Sequence, residues 1–527
     1  MKNLLRNSLL VLAAVAMLSA NAVAQPVLVK PPWADTLNLW VMDNGLGSQK
    51  AVRKLVKKFQ RDTEIPVNVR VLDWGSAYAE ITKAFANPDS TPDYPDILQL
   101  GSTWVPQFAS VGWLRDLDTL LVQIDSSRFY QEAYKAGHIA GKSTVYSFPW
   151  FLDVRAFFAN EWLWHTLNIQ DTDVNSYSRF IGALRAIHRG ELKNTEMKRV
   201  AAFALPGKND WTGPQQMAPF IWSFGGDFLK CDQGKCRSAL LDSATLDGID
   251  IFAKILGDEE LAPYSLQENS AQNAVRFVNS ELLIHYGTSE LIRQLEYPED
   301  AGGLRSSAIA DDGIMILGSQ ELPQFRSTFV GGSHLALASN KDATKFAAAE
   351  KLLTYMMRAD NVDAYCRAVG FLPSDRGLIG IWNQDRRYSQ LIQGLERGKS
   401  FPNIPEWGQI EGVLIQLSND MGTALSEAED KNARVEKLAK LVVEAHFRVN
   451  EILGATEPKE KPELLQWVQN VFATDIQEIE PEELRFEPLP SPIPLWRIID
   501  FVVVAVIALI IVAVPVTLIV YLVRRKK

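Results

Sequence analysis

The order of strands and helices near the start of the chain constrains its fold more than any other feature. Short apolar stretches with strand character alternate there with stretches of helical periodicity. Strands are predicted at 37–41, 67–72 and 95–100, and helices at 51–59 and 78–85. Strands that alternate with helices in this way indicate a mostly parallel sheet covered by helices. We therefore predict an α/β fold.

Tryptophan residues recur where predicted strands end or where loops follow them. The five positions are Trp40, Trp74, Trp104, Trp150 and Trp211. In open α/β sheets, ligands bind at the carboxyl ends of the strands. An aromatic face packs on the C–H face of a sugar ring, while nearby polar groups satisfy the hydroxyls. The pattern indicates a sugar-binding cleft, although any one of these side chains could instead pack in the core.

Motifs for catalysis or for cofactor binding are absent from the sequence. It contains no Gly-x-x-x-x-Gly-Lys-Ser/Thr loop, no His-Glu-x-x-His and no Gly-x-Ser-x-Gly. We therefore predict a binding protein with no cofactor, no metal site and no catalytic residues. The formal charge of −9 provides no basic surface for phosphates, which argues against a nucleic-acid partner.

Several short segments, taken in order, resemble the family 1 extracellular solute-binding proteins. That family contains maltose-binding protein and other carbohydrate receptors of ABC importers. The resemblance covers nearly all of residues 36–454. It is carried by motifs such as Leu-Asn-Leu-Trp-Val at 37–41, Gly-Trp-Leu-Arg-Asp-Leu at 112–117 and Gly-Phe-Leu-Pro at 370–373.

The resemblance implies a type II periplasmic-binding-protein fold, in which two α/β lobes close on a ligand by hinge motion. Lobe one is expected to comprise residues 36–150 and 287–335. Lobe two is expected to comprise residues 155–284 and 340–454.

The resemblance also implies a set of ligand-binding residues from both lobes. They are Trp40, Asp43, Trp74, Trp104, Trp150, Asp153, Arg155, Trp211, Gly332 and Trp407. We expect Trp150, Trp211 and Trp74 to contribute most to binding. The three charged residues either bind ligand hydroxyls or, as an equal alternative, form ion pairs within or between the lobes.

The N-terminus carries the pattern of an export signal. Lys2 and Arg6 precede an apolar core at 9–18, and Ala-Val-Ala at 22–24 fits a cleavage site. Residues 1–24 are therefore a predicted signal peptide, with an uncleaved anchor as the alternative. In an oxidising compartment, Cys231 and Cys236 can form a disulfide across a short turn; a metal site is the alternative use of this pair.

The C-terminus carries the pattern of a membrane anchor. Residues 501–523 contain no charge and form about 35 Å of helix, enough to cross a bilayer. We predict a Glu/Pro-rich stalk at 455–496, a transmembrane helix at 497–523 and a basic cytoplasmic tail at 524–527. This arrangement places the body outside the inner membrane, with 47 basic and 62 acidic residues and a formal charge of −15.

These features predict a single-pass, membrane-tethered receptor that captures a mono- or oligosaccharide and delivers it to ABC permease subunits. A sensor is the second hypothesis, in which the same ectodomain reports ligand occupancy to a membrane partner. An exported glycan-active enzyme is the third, and the absence of a catalytic motif argues against it.

Overall fold

The computed structural model describes residues 36–484, except for 195, 233, 319–321, 326, 340–342, 396, 456–461, 477 and 483. The strands are β1 (Leu37–Met42), β2 (Val67–Leu72), β3 (Ile97–Gly101), β4 (Ser147–Asn160), β5 (Leu229–Asp232), β6 (Lys235–Ser238), β7 (Ile284–Thr288), β8 (Ile314–Leu317), β9 (Thr328–Leu337), β10 (Leu372–Pro373) and β11 (Gly398–Lys399).

The α-helices fall between and after these strands. They are α1 (Ser48–Thr63), α2 (Trp74–Ala86), α3 (Val105–Ser110), α4 (Gln131–Lys135), α5 (Glu161–Thr166), α6 (Asp171–Val174), α7 (Tyr177–Arg189), α8 (Gly213–Ser223), α9 (Ser243–Leu256), α10 (Ser270–Val278), α11 (Glu290–Gln294), α12 (Ala308–Asp312), α13 (Ala343–Met356), α14 (Ala359–Val369), α15 (Arg376–Trp382), α16 (Arg386–Leu395), α17 (Trp407–Glu427), α18 (Lys431–Ile452) and α19 (Pro462–Ala473).

Lobe one is built on a sheet with the strand order β10-β4-β9-β3-β1-β2. β1 pairs in parallel with β2 and β3, as the alternation of strands and helices predicts, whereas β9 is antiparallel to both β3 and β4. Helix α1 covers this sheet because Val52, Leu55, Val56 and Phe59 recur with helical spacing and are buried together. The parallel strands thus end at one edge of the lobe.

A single long strand, β4, belongs to both lobes. Its first half pairs with β9 and β10 in lobe one, and its second half pairs with β7 and β8. Because β7 and β8 pair with the same residues of β4, they lie on its opposite edges and form the small sheet of lobe two. The two-lobe α/β fold predicted from the sequence is therefore present in the described residues.

The predicted boundaries of the lobes are wrong for part of the second half. Residues 340–395 were expected in lobe two, but α13 and α14 pack against β9 and α1 of lobe one. Leu352, Leu353 and Val362 are buried in the same apolar core as the strands of lobe one. Burial of these apolar faces against an existing sheet determines which lobe the helices join. Lobe two resumes with the long antiparallel pair α17 and α18.

The predicted stalk at 455–496 is partly a packed element. Helix α19 lies against α18 and α9, and it buries Val468 and Phe472 in the core of lobe two. The described residues of 474–484, which exclude 477 and 483, form a segment that we call the strap. In the strap, Glu478 pairs with Arg185 at 2.5 Å, and the Ile479 amide donates to the Ser178 carbonyl at 3.1 Å.

Cys231 and Cys236 are joined in a disulfide, which confirms the predicted pairing. They face each other across the antiparallel hairpin of β5 and β6. The third cysteine, Cys366, is a buried free thiol in α14.

Helices long and apolar enough to cross a bilayer are not found among the described residues. The predicted signal peptide at 1–24, the predicted span at 497–523 and the predicted tail at 524–527 all lie outside those residues.

Candidate ligand-binding site

A cavity of about 600 Å³ lies between the two lobes, at the carboxyl ends of β1, β2 and β3. This volume is within the usual range of ligand pockets. Seven of the ten predicted site residues line it, and they come from both lobes. They are Asp43, Trp74, Trp104, Asp153, Arg155, Trp211 and Gly332.

Three of these residues form an aromatic wall that spans the cleft. The Trp74 ring lies 5.5 Å from Trp104 in lobe one. The Trp211 ring of lobe two is nearly parallel to Trp74, with 6.4 Å between ring centroids and an interplanar angle of 12°. Trp211 is 46% exposed, which is unusual for so large an apolar side chain. The wall therefore presents accessible aromatic faces from both lobes.

A buried polar network fixes the orientation of the Trp74 ring. Its Nε1 donates to Asn44 Oδ1 at 3.2 Å. Gln99 Nε2 donates to the same Asn44 oxygen at 3.1 Å, and also to Ser333 Oγ at 2.7 Å. Asn44 in turn donates to the Tyr365 hydroxyl at 2.7 Å. Since these partners are all buried, the ring is held before any ligand arrives.

The loop that carries Trp211 is held from beneath by the buried Asp210. Its carboxylate accepts from the Thr212 amide at 2.7 Å and from the Ser270 amide at 2.6 Å. The Asp210 amide donates to Asn419 Oδ1 at 2.9 Å, which ties the loop to α17. The exposed indole therefore stands on a rigid base.

Asp153 and Arg155 lie at the point where β4 passes from one lobe to the other. They form an ion pair, with 3.7 Å between Arg155 Nε and Asp153 Oδ2. Burial raises the pKa of Asp153, and Arg155 opposes that shift. Burial lowers the pKa of the neighbouring His285 to about 4, and the Arg155 charge adds to this effect. Asp153 Oδ1 and Arg155 Nε have no hydrogen-bond partner.

Glu411 of α17 connects the lobes across the cleft. It accepts from Thr103 Oγ1 of lobe one at 3.4 Å and from Gln215 Nε2 of lobe two at 3.2 Å, and Trp104 also donates to it. Burial raises the pKa of Glu411 to about 7. Burial also raises the pKa of Glu290, on the same cavity, to about 7, and the charges of Asp153 and Asp43 contribute.

Three predicted site residues lie in packed cores instead. Trp40 is 1% exposed, donates to the Asp93 carbonyl and lies under Arg70. Trp150 is fully buried, and its ring stacks on Tyr365 at 4.0 Å. Trp407 is fully buried against Phe401 of lobe two, at 4.8 Å. The prediction that these three residues bind ligand in the cleft was wrong. Trp40 and Trp150 lie within strands that are covered on both faces, and Trp407 is on the inner face of α17.

Asp43 and Gly332 line the cavity and are also required by the local backbone structure. Asp43 accepts from the Gly45 amide at 3.2 Å and from Ser48 Oγ at 3.0 Å, which orders the turn into α1. Gly332 lies on β9 opposite Leu152 of the antiparallel strand β4. A Cβ atom at Gly332 would lie 2.3 Å from the Phe151 carbonyl oxygen, so this close approach of two strands requires glycine.

Several cavity residues were not anticipated from the sequence. They are Asn44, Tyr78, Gln215, Glu290 and Glu411. Asn44 and Tyr78 lie within a few residues of predicted strand ends, so that position could have indicated them. Gln215 and Glu411 are on helices remote in sequence, and no local pattern distinguishes them from other helical polar residues.

A larger cavity of about 1,390 Å³ lies beside α1 and α14 of lobe one, and it shares Asp43 and Gly45 with the interlobe cavity. Its lining includes Lys50, Lys54 and Lys58 but none of the site tryptophans. Among the described residues, no group of three or more His, Cys, Asp or Glu side chains could hold a metal ion. The interlobe cavity is thus the better candidate for the site, because it unites the aromatic wall with buried polar groups from both lobes.

Residues 44–363 match the family model of the bacterial extracellular solute-binding proteins. A relative of known function is the diacetylchitobiose-binding protein DasA of Streptomyces coelicolor. It is 24% identical over 377 residues, which are 72% of this chain and 82% of that protein.

Solved structures share the fold. A solute-binding protein of an ABC transporter from Thermotoga lettingae, bound with α-D-tagatose, is 17% identical and has a TM-score of 0.64. The match covers 80% of this chain and all of that one. The maltose-bound MalE3 of T. maritima is 15% identical with a TM-score of 0.63, over 78% of this chain and 99% of that one.

Proposed function

The chain belongs to the bacterial extracellular solute-binding proteins, and from this premise we propose that it captures a carbohydrate between its lobes for delivery to an ABC importer. The main support for a carbohydrate ligand is the aromatic wall of Trp74, Trp104 and Trp211, which spans the cleft and remains accessible. Similar proteins support this class of ligand, since they bind diacetylchitobiose, tagatose and maltose.

The chemistry of the wall suits a pyranose or furanose ring. Aromatic faces bury the C–H face of the sugar, and each such contact contributes about 0.5–1.5 kcal/mol beyond the area it buries. Asp153 Oδ1 and Gln215 Oε1 have no hydrogen-bond donor in the structure. Sugar hydroxyls would supply donors to both, and a sugar that fails to do so would leave buried acceptors unsatisfied at a cost of about 1–3 kcal/mol.

Capture would proceed by closure of the lobes about the crossing strands. β4 runs continuously from one lobe to the other, and its close contact with β9 at Gly332 leaves little freedom to slide. Rotation about these strands would separate Trp74 from Trp211 and admit ligand. The closed form, with Thr103 against Glu411, would then dock on the permease subunits.

We also propose that the receptor is tethered. The sequence patterns at 1–24, 497–523 and 524–527 support export of the body and retention at the inner membrane. The full chain is expected to remain with the inner membrane after carbonate washing, and a chain ended at residue 484 is expected in the soluble fraction. Recovery of the full chain in the soluble fraction would contradict the tether. A tether would also serve a sensor, because a membrane partner could then read the closed form.

The carbohydrate proposal is tested by a thermal-shift screen of the body, residues 25–484, against mono- and oligosaccharides. A ligand at 100 times its Kd adds about 2.7 kcal/mol to the free energy of unfolding. We expect at least one saccharide to raise the Tm. If none does so, while an amino acid or a polyamine does, the ligand class is wrong.

A further inference from the structure

The interlobe cavity carries an excess of negative charge. Four carboxyl groups line it, and one guanidinium opposes them: Asp43, Asp153, Glu290 and Glu411 against Arg155. Because burial raises the pKa of Glu290 and Glu411 to about 7, the formal charge of the lining approaches −3 only above that pH. Lysine is absent from the described residues of this lining. A ligand that enters the cleft therefore meets an acidic environment.

The charge of the one guanidinium is already offset by a carboxylate. Arg155 is 5% exposed and is already paired with Asp153. His285 beside it stays neutral, since burial lowers its pKa to about 4. Helix α2 begins at the cleft and carries about half a positive charge at its N-terminus, but the Asp73 side chain accepts from its Gly75 amide. These groups do not balance the negative charge of the carboxyl groups that line the cavity.

One unpaired acceptor lies next to Glu411. Gln215 is 6% exposed, and its Nε2 donates to Glu411 while its Oε1 has no partner. Two of the three donors to Glu411, Gln215 Nε2 and Thr103 Oγ1, are 3.2 Å and 3.4 Å away, at the long end of the hydrogen-bond range. Gln215 Oε1 and the Glu411 carboxyl thus offer two acceptors beside the Trp104 ring.

We propose that the cleft prefers a saccharide bearing a protonated amino group, held by Glu411 and Gln215 beside Trp104, and rejects saccharides bearing carboxylate, phosphate or sulfate. This inference rests on the proposed carbohydrate function and names the charge class of its ligand. An ammonium group supplies three donors and no acceptor, which suits the unpaired Gln215 Oε1 and the Glu411 carboxyl.

The test uses four disaccharides with one β-1,4-linked backbone. They are cellobiose, the free-amine dimer of glucosamine, its N-acetylated form and the corresponding diuronate. Titration calorimetry of the purified full chain is expected to give the free amine a Kd at least 10-fold below that of cellobiose. The diuronate is expected to bind at least 10-fold more weakly than cellobiose.

Two substitutions on α17 make the test specific. Glu411→Gln keeps the size of the side chain and removes its charge, and it should reduce the ratio between amine and cellobiose affinities at least 5-fold. Glu427→Gln, at an exposed position on the same helix, should leave that ratio unchanged. A diuronate that binds as tightly as cellobiose, or an amine that binds no better, would overturn this inference alone. If none of the four disaccharides binds while another saccharide raises the Tm in the thermal-shift screen, this inference is wrong and the carbohydrate function stands. If no saccharide binds in either experiment, both are wrong.

Discussion

Two tryptophans that face each other from opposite lobes should carry much of the ligand affinity. Trp74→Ala or Trp211→Ala removes the aromatic face that one of the lobes presents at this contact, so each is expected to weaken saccharide binding by at least about 1 kcal/mol, or roughly 5-fold. Titration calorimetry measures the change. The control is Trp467→Ala on α19, which is 36% exposed and remote from the cleft. An unchanged Kd in both cleft variants would remove the wall from the binding site.

Trp150 should matter for stability and not for ligand contact. It is fully buried and stacks on Tyr365, so Trp150→Ala is expected to lower the free energy of unfolding by about 3–5 kcal/mol. Chemical denaturation without ligand measures this loss. A variant that stays as stable as the parent but no longer binds saccharide would return Trp150 to the cleft.

Glu411 should make stability depend on pH in a defined direction. Its pKa is raised to about 7 in the folded chain, against about 4.3 for an exposed Glu. The folded state therefore holds a proton that the unfolded state has released, and the free energy of unfolding decreases as pH rises through this window. We expect Glu411→Gln to remove about 2 kcal/mol of the decrease between pH 5 and pH 7.

Denaturation of the ligand-free protein at pH 5, 6 and 7 would measure this effect for the parent and the variant. Glu427→Gln is the matched control, because that side chain is exposed on the same helix. Parallel pH profiles in parent and Glu411→Gln would show that Glu411 titrates normally in the fold.

The individual site residues could be predicted only where a local rule decides them. Trp74 and Trp104 follow strands directly, and the carboxyl ends of parallel strands meet at the cleft. Trp40 and Trp150 lie inside strands buried on both faces, where alternation does not separate core from cleft. Glu411 became a cleft residue through the packing of α17, which no local pattern determines.

The last helix and the strap should stabilise lobe two. Val468 and Phe472 are buried there, and full burial of such a side chain contributes about 1.5–3 kcal/mol. A body ended at residue 454 is therefore expected to unfold with at least about 3 kcal/mol less free energy than one ended at 484. Denaturant unfolding of the two forms measures the difference. Equal midpoints and slopes would show that α19 and the strap only rest on the surface.

The elements themselves were predictable where periodicity is strong. The first strands and helices are close to their predicted positions, because apolar residues alternate or recur with clear spacing. The assignment of α13 and α14 to a lobe was not predictable from their sequences. Both have an apolar face that would suit either lobe, and tertiary packing alone decides between them. The sequence does predict a short amphipathic helix at 464–472 within the Glu/Pro-rich segment, but it does not predict that this helix packs on lobe two.

The lobes should come together when a saccharide binds. In the structure they meet through Thr103 and Glu411, and through the facing rings of Trp74 and Trp211. Ligand would add contacts to both sides of the cleft and favour this arrangement. We expect the radius of gyration in small-angle X-ray scattering to decrease on addition of a saccharide. The double variant Trp74→Ala, Trp211→Ala should show no decrease at the same concentration.

Because the strap packs on lobe two, only a short segment of chain would remain between the body and a membrane span. If the membrane span begins at residue 497, only residues 485–496 separate it from lobe two, and fully extended they reach about 40 Å. A body confined to a hemisphere of that radius meets neighbouring membrane proteins at a millimolar effective concentration. Encounter between the receptor and a neighbouring membrane protein would then no longer limit the rate of ligand delivery. Lobe opening and ligand release would limit that rate. Each receptor would deliver ligand only to partners near its own anchor. Lobe two would stay close to the membrane, and lobe one could move further from it.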